Sequence, residues 1–504
     1  MSETINTKAF GKNDIRGIFP SEVNSEVFFY AAKGYVTFVL EELKKLNQNK
    51  SARDLLFAVC MDARTHSPEL RRAVIQGVTS MGANVLDLGL APTPLGYYSE
   101  FAQIEAEYTQ NRKVMGALIV TASHNPSEYN GLKMTFNKHS LNEEQIKKVK
   151  EYTISSRENS TGYRQAVNGI VKEYDIIANY QTKISSMFGL IGQYNGKKIK
   201  VVVDSANATG GIVAPQLYRD LGCEVVELYS EPDGTFPNHH PNPSDLKTLD
   251  DIRKKVIETK ADVGIAFDGD SDRIGAISND GAIITGDKLL LIYAQDLTKS
   301  LSIHGEKPVI VSEVKCSQVL YDEIERLGAT GIMTKTGHGY IKSKMKETGA
   351  LLAGEMSGHT FFKDRYFGYD DAIYAGCRLI EIIAKNKVEN PDFKLTDLLE
   401  PFNKVFLSDE VRLKCPNELK KDVLNEIKET ISDELFNSKI KDTITIDGIR
   451  LIFEDGFALI RQSNTEPVFT LRFEAKTKEK CEHYKEVLVN LTNQLVEKYS
   501  ATKV

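Results

Sequence analysis

The stretch LLFAVCMDARTHSPELRRAVIQGVTSMGANVLDL, residues 55–88, decides the fold class. Its apolar run at 55–61 predicts a buried strand, and Ser67 stands where the N-cap of a following helix is expected. Gly82 predicts the end of that helix, because glycine favours the position just past a helix C-terminus, and residues 84–88 predict a second strand. A strand, a helix and a strand in immediate succession indicate an α/β sheet.

The same order of elements returns twice farther along the chain. A strand, a helix and a strand are predicted within residues 199–228 and again within residues 309–332. The last part of the chain differs, because short strands between 443 and 474 include a strong hairpin signal at Asp447-Gly448, and residues 477–499 predict a long helix. The sequence therefore predicts three α/β modules followed by a small antiparallel α+β domain.

Composition excludes several classes of function. Among 504 residues, 64 are lysine or arginine and 70 are aspartate or glutamate, so the formal net charge is −6. This mild negative balance argues against general binding to nucleic acids or membrane surfaces. The polar N-terminus predicts no secretory signal, and no apolar run approaches the ~20 residues that span a bilayer. The 6 scattered cysteines form no CxxC pair and fit a reducing cytoplasm.

An acidic loop follows the predicted strand at 263–267. Asp268, Asp270 and Asp272 alternate there, so their carboxylates are expected to converge on one side of an extended loop. Hard oxygen ligands of this kind favour Mg²⁺ or a similar ion. An EF-hand is excluded, because Arg273 stands where that loop needs glycine and a strand precedes it. The alternative is a solvated acidic turn without a metal.

Ser123 lies in the motif TASHNP, residues 121–126, directly after a predicted strand at 117–120. Small neighbours predict that Ser123 is exposed at the end of the strand, where the sites of α/β proteins usually lie. The adjacent His124 adds little, because sequence neighbours rarely form a nucleophile–base pair. Taken alone, the motif favours a turn over a nucleophile.

Two further loops carry groups suited to a phosphorylated sugar. The motif GEMSGH at 354–359 offers an acceptor, a hydroxyl and an imidazole in alternation, which suits hydroxyl-rich ligands, and residues 335–338 add basic groups upstream. The motif RQSNTEP at 461–467 offers several hydrogen-bond donors to a phosphate. The alternatives are a polar turn and a hairpin loop without a ligand.

Together with DIRG at 14–17 and NGLK at 130–133, these motifs stand in an order that resembles the α-D-phosphohexomutase superfamily, specifically its bacterial phosphomannomutase/phosphoglucomutase branch. The resemblance implies three topologically similar α/β domains with mixed sheets and a C-terminal α+β domain with an antiparallel sheet, arranged around a central cleft. The expected domains are a phosphoserine-bearing domain at 1–171, a metal-binding domain at 172–283, a sugar-binding domain at 284–401 and a phosphate-binding domain at 402–504.

The resemblance also implies an activity. It implies reversible conversion of hexose 1-phosphate and hexose 6-phosphate, of mannose, glucose or both, through a phosphoserine at Ser123. Hexose 1,6-bisphosphate is the implied intermediate and activator. The implied ligands of Mg²⁺ are Ser123, Asp268, Asp270 and Asp272. The implied catalytic groups beside Ser123 are Arg16, Lys133 and His359. The implied substrate-binding residues are Arg273, Lys335, His338, Glu355, Ser357, Arg461, Ser463, Asn464 and Thr465.

The expected partners are small hexose phosphates, with no nucleic acid, membrane or obligate protein partner, and the expected location is the cytoplasm. Three other functions stay open: a phosphoglucosamine mutase, a phosphatase, and a non-catalytic sugar-phosphate sensor on the same scaffold. The sensor is disfavoured because Ser123 and the three aspartates are all present. Asn13, Ser271 and the stretch 204–211 depart from the family pattern, and none of these departures removes a chemical group of the proposed site.

Overall fold

The computed structural model describes residues 5–158, 168–302, 305, 307–463 and 466–502. The chain divides into two compact units. The first unit comprises Met1–Thr285 and Ser357–Lys394, and the second unit comprises Gly286–Met356 and Leu395–Val504. Among the described residues, no helix combines the length and the apolar character that crossing a membrane would require.

The first sheet of the first unit is mixed. The strand Leu56–Met61 runs parallel to both Asn84–Leu90 and Val114–Val120, while Tyr129–Phe136 is antiparallel to Val114–Val120. In spatial order the strands are Ile15–Ile18, Tyr129–Phe136, Val114–Val120, Leu56–Met61, Asn84–Leu90 and Val171–Glu173, with His139–Ser140 paired to Tyr129–Phe136. The helices are Ser25–Lys45, Ser67–Ser80, Thr93–Tyr98, Ala106–Thr109, Glu143–Glu158 and Ile176–Phe188. The predicted boundary after residue 171 falls within the edge strand, and the domain boundaries remain predictions.

The helix Ser67–Ser80 begins one residue earlier than predicted. Its N-cap is His66, so the prediction that Ser67 is the N-cap was wrong. The Ser67 hydroxyl instead donates to Asp62 Oδ1 at 2.6 Å and accepts from Asn130 Nδ2 at 2.9 Å. Asp62 directly follows the strand Leu56–Met61 and Asn130 lies on the strand Tyr129–Phe136, and local helix-capping preference cannot anticipate such contacts.

The second sheet of the first unit is also mixed. Lys200–Asp204 pairs in parallel with Glu224–Leu228 and Val263–Phe267, and Ile274–Ser278 pairs antiparallel with Val263–Phe267. The order is Glu224–Leu228, Lys200–Asp204, Val263–Phe267, Ile274–Ser278 and Ile283–Ile284. The other elements are the hairpin Gln193–Tyr194 and Lys197–Lys198, the strand Thr360–Phe362, and the helices Ala214–Asp220, Asp250–Thr259 and Ala372–Glu389.

The second unit contains a set of three parallel strands and an antiparallel sheet. Val309–Glu313 lies between Thr330–Thr334 and Leu352–Gly354, parallel to both. The helices of this part are Gly286–Ser302, Gln318–Arg326 and His338–Thr348, followed by a 3₁₀ helix at Leu395–Lys404. Its α/β character matches the prediction from residues 309–332.

The C-terminal sheet is antiparallel throughout, as predicted. Its order is Phe406–Leu407, Val468–Ala475, Gly456–Gln462, Ile449–Ile452 and Asp442–Ile444, with Val411–Lys414 also paired to Val468–Ala475. The helices are Lys420–Thr430, Asp433–Phe436 and Lys478–Thr502. The predicted Asp447-Gly448 turn joins two strands, and Gly448 has φ +87°, a conformation that glycine adopts without steric cost. The predicted combination of mixed α/β sheets and a C-terminal antiparallel sheet is confirmed.

Candidate active site

Ser123 lies just past the end of Val114–Val120, in the loop between two strands of the first sheet. Its hydroxyl donates to Asp268 Oδ2 at 2.7 Å and lies 3.2 Å from His124 Nδ1. Only 2% of Ser123 is accessible, so the prediction that this serine is exposed was wrong. The reason is tertiary, because the acidic loop of the second sheet packs on it: a Cβ added at Gly269 would lie 2.4 Å from the Ser123 carbonyl oxygen.

A buried network holds the Ser123 loop in an uncommon backbone conformation. Ser123 has φ +52°, a left-handed value that few non-glycine residues adopt. Its amide donates to Thr121 Oγ1 at 2.9 Å, and that hydroxyl donates to Asp62 Oδ2 at 2.8 Å. The Arg64 guanidinium donates to the carbonyl oxygens of Ser123 at 2.9 Å and Asn125 at 2.6 Å. The loop is therefore held from the carboxyl end of the neighbouring strand.

The three aspartates of the predicted metal loop are fully buried, each with an exposed fraction of 0%. Asp268 Oδ1 accepts the amides of Asp272 and Arg273, both at 3.1 Å, so this carboxylate shapes its own loop. Asp270 Oδ2 accepts Thr93 Oγ1 at 2.6 Å, and Thr93 N donates to the Asp270 carbonyl at 2.9 Å. Thr93 thus ties the acidic loop to the first sheet.

Lys133 supplies a positive charge directly to this cluster. Its ammonium lies 2.6 Å from Asp270 Oδ2 and 2.6 Å from Asp272 Oδ2. Burial alone would lower the pKa of Lys133, but the two carboxylates raise that pKa well above its ordinary value. Burial acts to raise the pKa of Asp272, and the positive charges of Lys133 and its neighbours outweigh it, so the Asp272 pKa is lowered.

The carboxylate cluster fits a divalent cation. One oxygen from each of Asp268, Asp270 and Asp272 lies within 4.8 Å of the others. Asp270 Oδ1 and Asp272 Oδ1 are buried and have no hydrogen-bond partner among the described residues. Burial and the neighbouring carboxylates raise the pKa of Asp268 well above its ordinary value. A cation bound by these oxygens would satisfy them and remove the repulsion.

Arg16 extends from the edge strand Ile15–Ile18 toward the Ser123 loop. Its Nη1 donates to Asn125 Oδ1 at 2.7 Å, and its Nη2 donates to Asp14 Oδ2 at 2.5 Å. Burial would lower the pKa of Arg16, but Asp14, with Asp270 and Asp272 farther away, raises it overall. The guanidinium is therefore a permanent positive charge beside the loop that carries Ser123.

His359 lies on the other side of the acidic cluster. Its Nε2 accepts from Arg273 Nε at 3.0 Å, while its Nδ1 lies 3.6 Å from Asp272 Oδ1 and 3.3 Å from Asp370 Oδ2. Arg273 Nε also lies 3.9 Å from Asp268 Oδ2. The first unit thus brings together all the predicted catalytic and metal-binding residues, along with Arg273. Ser357 lies in the same unit, and its carbonyl accepts Ser244 Oγ at 3.0 Å.

The second unit holds most of the other predicted substrate-binding residues. Glu355 Oε1 accepts the Gly337 amide at 2.6 Å, and the next residue, His338, begins the helix His338–Thr348. Lys335 is exposed, with its ammonium 5.6 Å from the centre of the Tyr340 ring.

Arg461 and Ser463 lie at the end of a strand of the C-terminal sheet. Arg461 is only 5% exposed, and its Nε donates to Asp447 Oδ2 at 2.9 Å. The Ser463 amide donates to the Val468 carbonyl at 3.0 Å, across the loop between the two strands. The predicted residues Asn464 and Thr465 lie outside the described residues.

Four family models match successive parts of the chain. Phosphoglucomutase/phosphomannomutase, alpha/beta/alpha domain I matches residues 7–160, domain II matches residues 178–281 and domain III matches residues 285–402. Phosphoglucomutase/phosphomannomutase, C-terminal domain matches residues 410–491. The chain belongs to the phosphoglucomutase/phosphomannomutase family. The predicted resemblance is thereby confirmed.

Similar proteins agree with this family assignment over nearly the whole chain. The phosphomannomutase/phosphoglucomutase of Pseudomonas syringae pv. tomato is 37% identical over 473 residues, covering 94% of this chain and 92% of that protein. The phosphoglucomutase of Neisseria gonorrhoeae is 35% identical, covering 94% of each. A crystal structure of a phosphoglucomutase/phosphomannomutase family protein from Burkholderia thailandensis superposes with a TM-score of 0.83 at 33% identity, covering 97% of each chain. This family member is an enzyme of the α-D-phosphohexomutase superfamily.

Sequence reasoning missed two residues that shape the site of this phosphoglucomutase/phosphomannomutase family member. Arg64 holds the Ser123 loop, and Thr93 holds the acidic loop. A signal for both was available, because Arg64 follows the strand Leu56–Met61 and Thr93 follows the strand Asn84–Leu90. The carboxyl ends of parallel strands form the edge where α/β sites assemble, so polar residues there are candidates for the site in the same way as Ser123.

Ser271, one of the departures from the family pattern, has a backbone explanation. It has φ +61°, a conformation that glycine adopts easily and serine rarely. The residue is fully buried, and its hydroxyl lies 3.3 Å from Thr209 Oγ1. The hydroxyl thus has a hydrogen-bond partner that a glycine would lack.

Proposed function

We propose that this enzyme interconverts hexose 1-phosphate and hexose 6-phosphate, of mannose, glucose or both, through a phosphoserine at Ser123. One observation carries the proposal: the Ser123 hydroxyl lies 2.7 Å from Asp268, within a fully buried group of three carboxylates that Lys133 contacts. A serine used only for a turn needs no such surroundings. The names of the relatives support the choice of sugars.

Ser123, Asp268, Asp270 and Asp272 are the residues that we propose to hold Mg²⁺. The two carboxylate oxygens without hydrogen-bond partners among the described residues support this assignment. When bound, the ion polarises the phosphorus and neutralises charge on the transferring group. A phosphoserine favours the binding of a divalent cation, because it adds roughly −1.5 to −2 charges beside the three carboxylates.

The proposed transfer exchanges one phosphorus–oxygen bond for another. The bond between phosphorus and Ser123 Oγ breaks as a bond forms between phosphorus and the free sugar hydroxyl, whose proton leaves. Of the predicted catalytic groups beside Ser123, His359 is the proposed acceptor of that proton, while the cationic Arg16 and Lys133 are proposed to stabilise the negative charge of the transferring phosphoryl group. The product of this step is hexose 1,6-bisphosphate, and its other phosphoryl group then returns to Ser123. The same bisphosphate would activate an enzyme whose Ser123 is unmodified.

The remaining predicted residues are proposed to recognise the substrate. Arg273 adds positive charge near Ser123, and Glu355, Ser357 and His338 are proposed to bind sugar hydroxyls. The proposed phosphate-binding set is Lys335, Arg461, Ser463, Asn464 and Thr465.

We also propose a cytoplasmic location, which six buried, unpaired cysteines support.

The decisive test combines mass spectrometry with kinetics. Intact-mass analysis of the unaltered enzyme should reveal a fraction heavier by one phosphate, and Ser123→Ala should remove both that fraction and mutase turnover. Ser127→Ala is the matched control, because Ser127 lies in the same loop without a described side-chain hydrogen bond. Normal turnover by the Ser123→Ala enzyme would disprove the phosphoserine mechanism.

A panel of kcat/KM values then ranks the sugars. Mannose, glucose and glucosamine 1-phosphates are assayed with Mg²⁺ and the matching bisphosphate. A clear preference for glucosamine would favour the phosphoglucosamine mutase, and release of inorganic phosphate faster than isomerisation would favour the phosphatase.

A further inference from the structure

We infer that Asp447 is a positioning residue. It holds Arg461, a proposed phosphate-binding group, at a fixed distance from the Thr336-Gly337 turn beside Glu355. This inference rests on the proposed function and extends it, because it assigns the coupling of phosphate and sugar recognition to a residue in neither binding set. The sequence predicts for Asp447 only a place in the hairpin turn with Gly448. The structure gives its carboxylate a second use.

A single oxygen atom of Asp447 joins two loops. Its Oδ2 accepts Arg461 Nε at 2.9 Å and the Thr336 amide at 3.1 Å. Arg461 is on a strand of the C-terminal sheet, whereas Thr336 follows the strand Thr330–Thr334. The side chain of Asp447 is 16% exposed and that of Arg461 is 6% exposed, so solvent competes little for these bonds.

The backbone fixes where Asp447 stands relative to Arg461. The next residue, Gly448, has φ +87°, and a Cβ added there would lie 2.2 Å from the Ile460 carbonyl oxygen and 2.7 Å from the Arg461 Cα. The turn is thus pressed against the strand that carries Arg461. The backbone of the hairpin therefore places the Asp447 carboxylate next to Arg461.

The Thr336-Gly337 turn connects onward to the proposed sugar-binding residue. Thr336 Oγ1 donates to Glu313 Oε2 at 2.8 Å, and the Gly337 amide donates to Glu355 Oε1 at 2.6 Å. Hydrogen bonds therefore run from Arg461 through Asp447 and the turn to Glu355. Since both ends are buried, the spacing between the phosphate-binding group and the sugar-binding group is set in advance.

A double-mutant cycle on the full-length enzyme tests this coupling. Asp447→Ala should lower kcat/KM for hexose 1-phosphate roughly 10-fold to 100-fold, the range expected for loss of a hydrogen bond to a charged group. Asp447→Asn keeps an acceptor oxygen and should recover most of that loss. In an Arg461→Gln background, adding Asp447→Ala should change kcat/KM by less than about 3-fold, because its main partner is gone.

Asp442→Ala removes an exposed acid from the first strand of the same hairpin and should leave kcat/KM unchanged. Equal losses in both backgrounds, or an Asp447→Asn variant as impaired as Asp447→Ala, would overturn the inference. If Asp447→Ala fails to unfold cooperatively, Asp447→Ser replaces it, because serine suits turns and is shorter. An unaltered enzyme without hexose-phosphate turnover would instead overturn the proposed function.

Discussion

The Nη2 atom of Arg64 donates a hydrogen bond to the main-chain carbonyl oxygen of Ser123 at 2.9 Å. The same guanidinium donates to the carbonyls of Asn125, Pro126 and Tyr129, and its Nε donates to Asp62 Oδ2 at 3.0 Å. Arg64 is 1% exposed, and the Phe236 ring lies 5.2 Å from its guanidinium carbon. One planar cation therefore shapes the whole Ser123 loop.

Replacing Arg64 by lysine should therefore impair the proposed phosphoryl transfer. A lysine ammonium keeps the charge but cannot span four carbonyl oxygens, so the loop loses its geometry. A displacement of about 1 Å can cost roughly 100-fold in rate, and a loss of that order is expected in kcat/KM. Arg71→Lys, at the partly exposed ion pair with Asp87, is the control. Undiminished turnover and phosphoserine content in Arg64→Lys would contradict this role.

Lys133→Met should make the folded protein depend more strongly on a divalent cation. Without Lys133, Asp270 and Asp272 lose the ammonium 2.6 Å away, and breaking such a buried pair costs about 3–5 kcal/mol of unfolding free energy. Mg²⁺ should restore part of that loss by binding the folded state. Thermal melts with and without Mg²⁺ measure the effect, with the exposed Lys138→Met as control. A Mg²⁺-induced shift in melting temperature no larger than in the unaltered enzyme would contradict this role of Lys133.

Asp270→Asn should weaken metal binding directly. Replacing a charged ligand by a neutral one should lower Mg²⁺ affinity by more than the roughly 10-fold to 100-fold that losing a supporting residue costs. Calorimetric titration with Mg²⁺ reports this independently of activity. Asp280→Asn, which alters an exposed turn of the same unit, should titrate like the unaltered enzyme. Identical titration curves for Asp270→Asn and the unaltered enzyme would remove Asp270 from the ligand set.

Glu474→Gln should change how stability depends on pH. Burial raises the pKa of Glu474 from 4.5 to about 7, although Ser317 and two arginines oppose the shift. The folded state therefore binds this proton more tightly than the unfolded state. The contribution of Glu474 to the free energy of unfolding is complete below pH 4.5 and is lost as pH rises through about 7, a change of about 3 kcal/mol.

Urea unfolding at pH 5 and pH 8 checks this prediction. The unaltered enzyme should lose more unfolding free energy between the two values than Glu474→Gln does. A decline remains expected in the variant, because burial also raises the pKa of Glu100 to about 7. Parallel declines in the two proteins would show that Glu474 titrates normally.

Local pattern was sufficient for the elements whose residues interact mainly with their own neighbours. Apolar runs predicted Leu56–Met61 and Val263–Phe267 closely, and Asp447-Gly448 predicted a real hairpin. The Ser67 N-cap prediction failed for the opposite reason, because the Ser67 hydroxyl pairs with Asn130, which lies 63 residues later in the chain on the strand Tyr129–Phe136. Motif order was also enough for the family, since each motif is a local string.

The sequence by itself determined which chemical groups are present and after which strands they stand. Only the tertiary structure decided that Ser123 is buried against Asp268, that Lys133 lies between Asp270 and Asp272, and that Arg64 holds the loop. These contacts join residues that are far apart in the chain, and the contacts to the aspartates form where residues of the first sheet meet the loop that follows the strand Val263–Phe267 of the second sheet. Burial then gives the contacts their strength, because removing water makes each charge depend on the partner that the fold supplies.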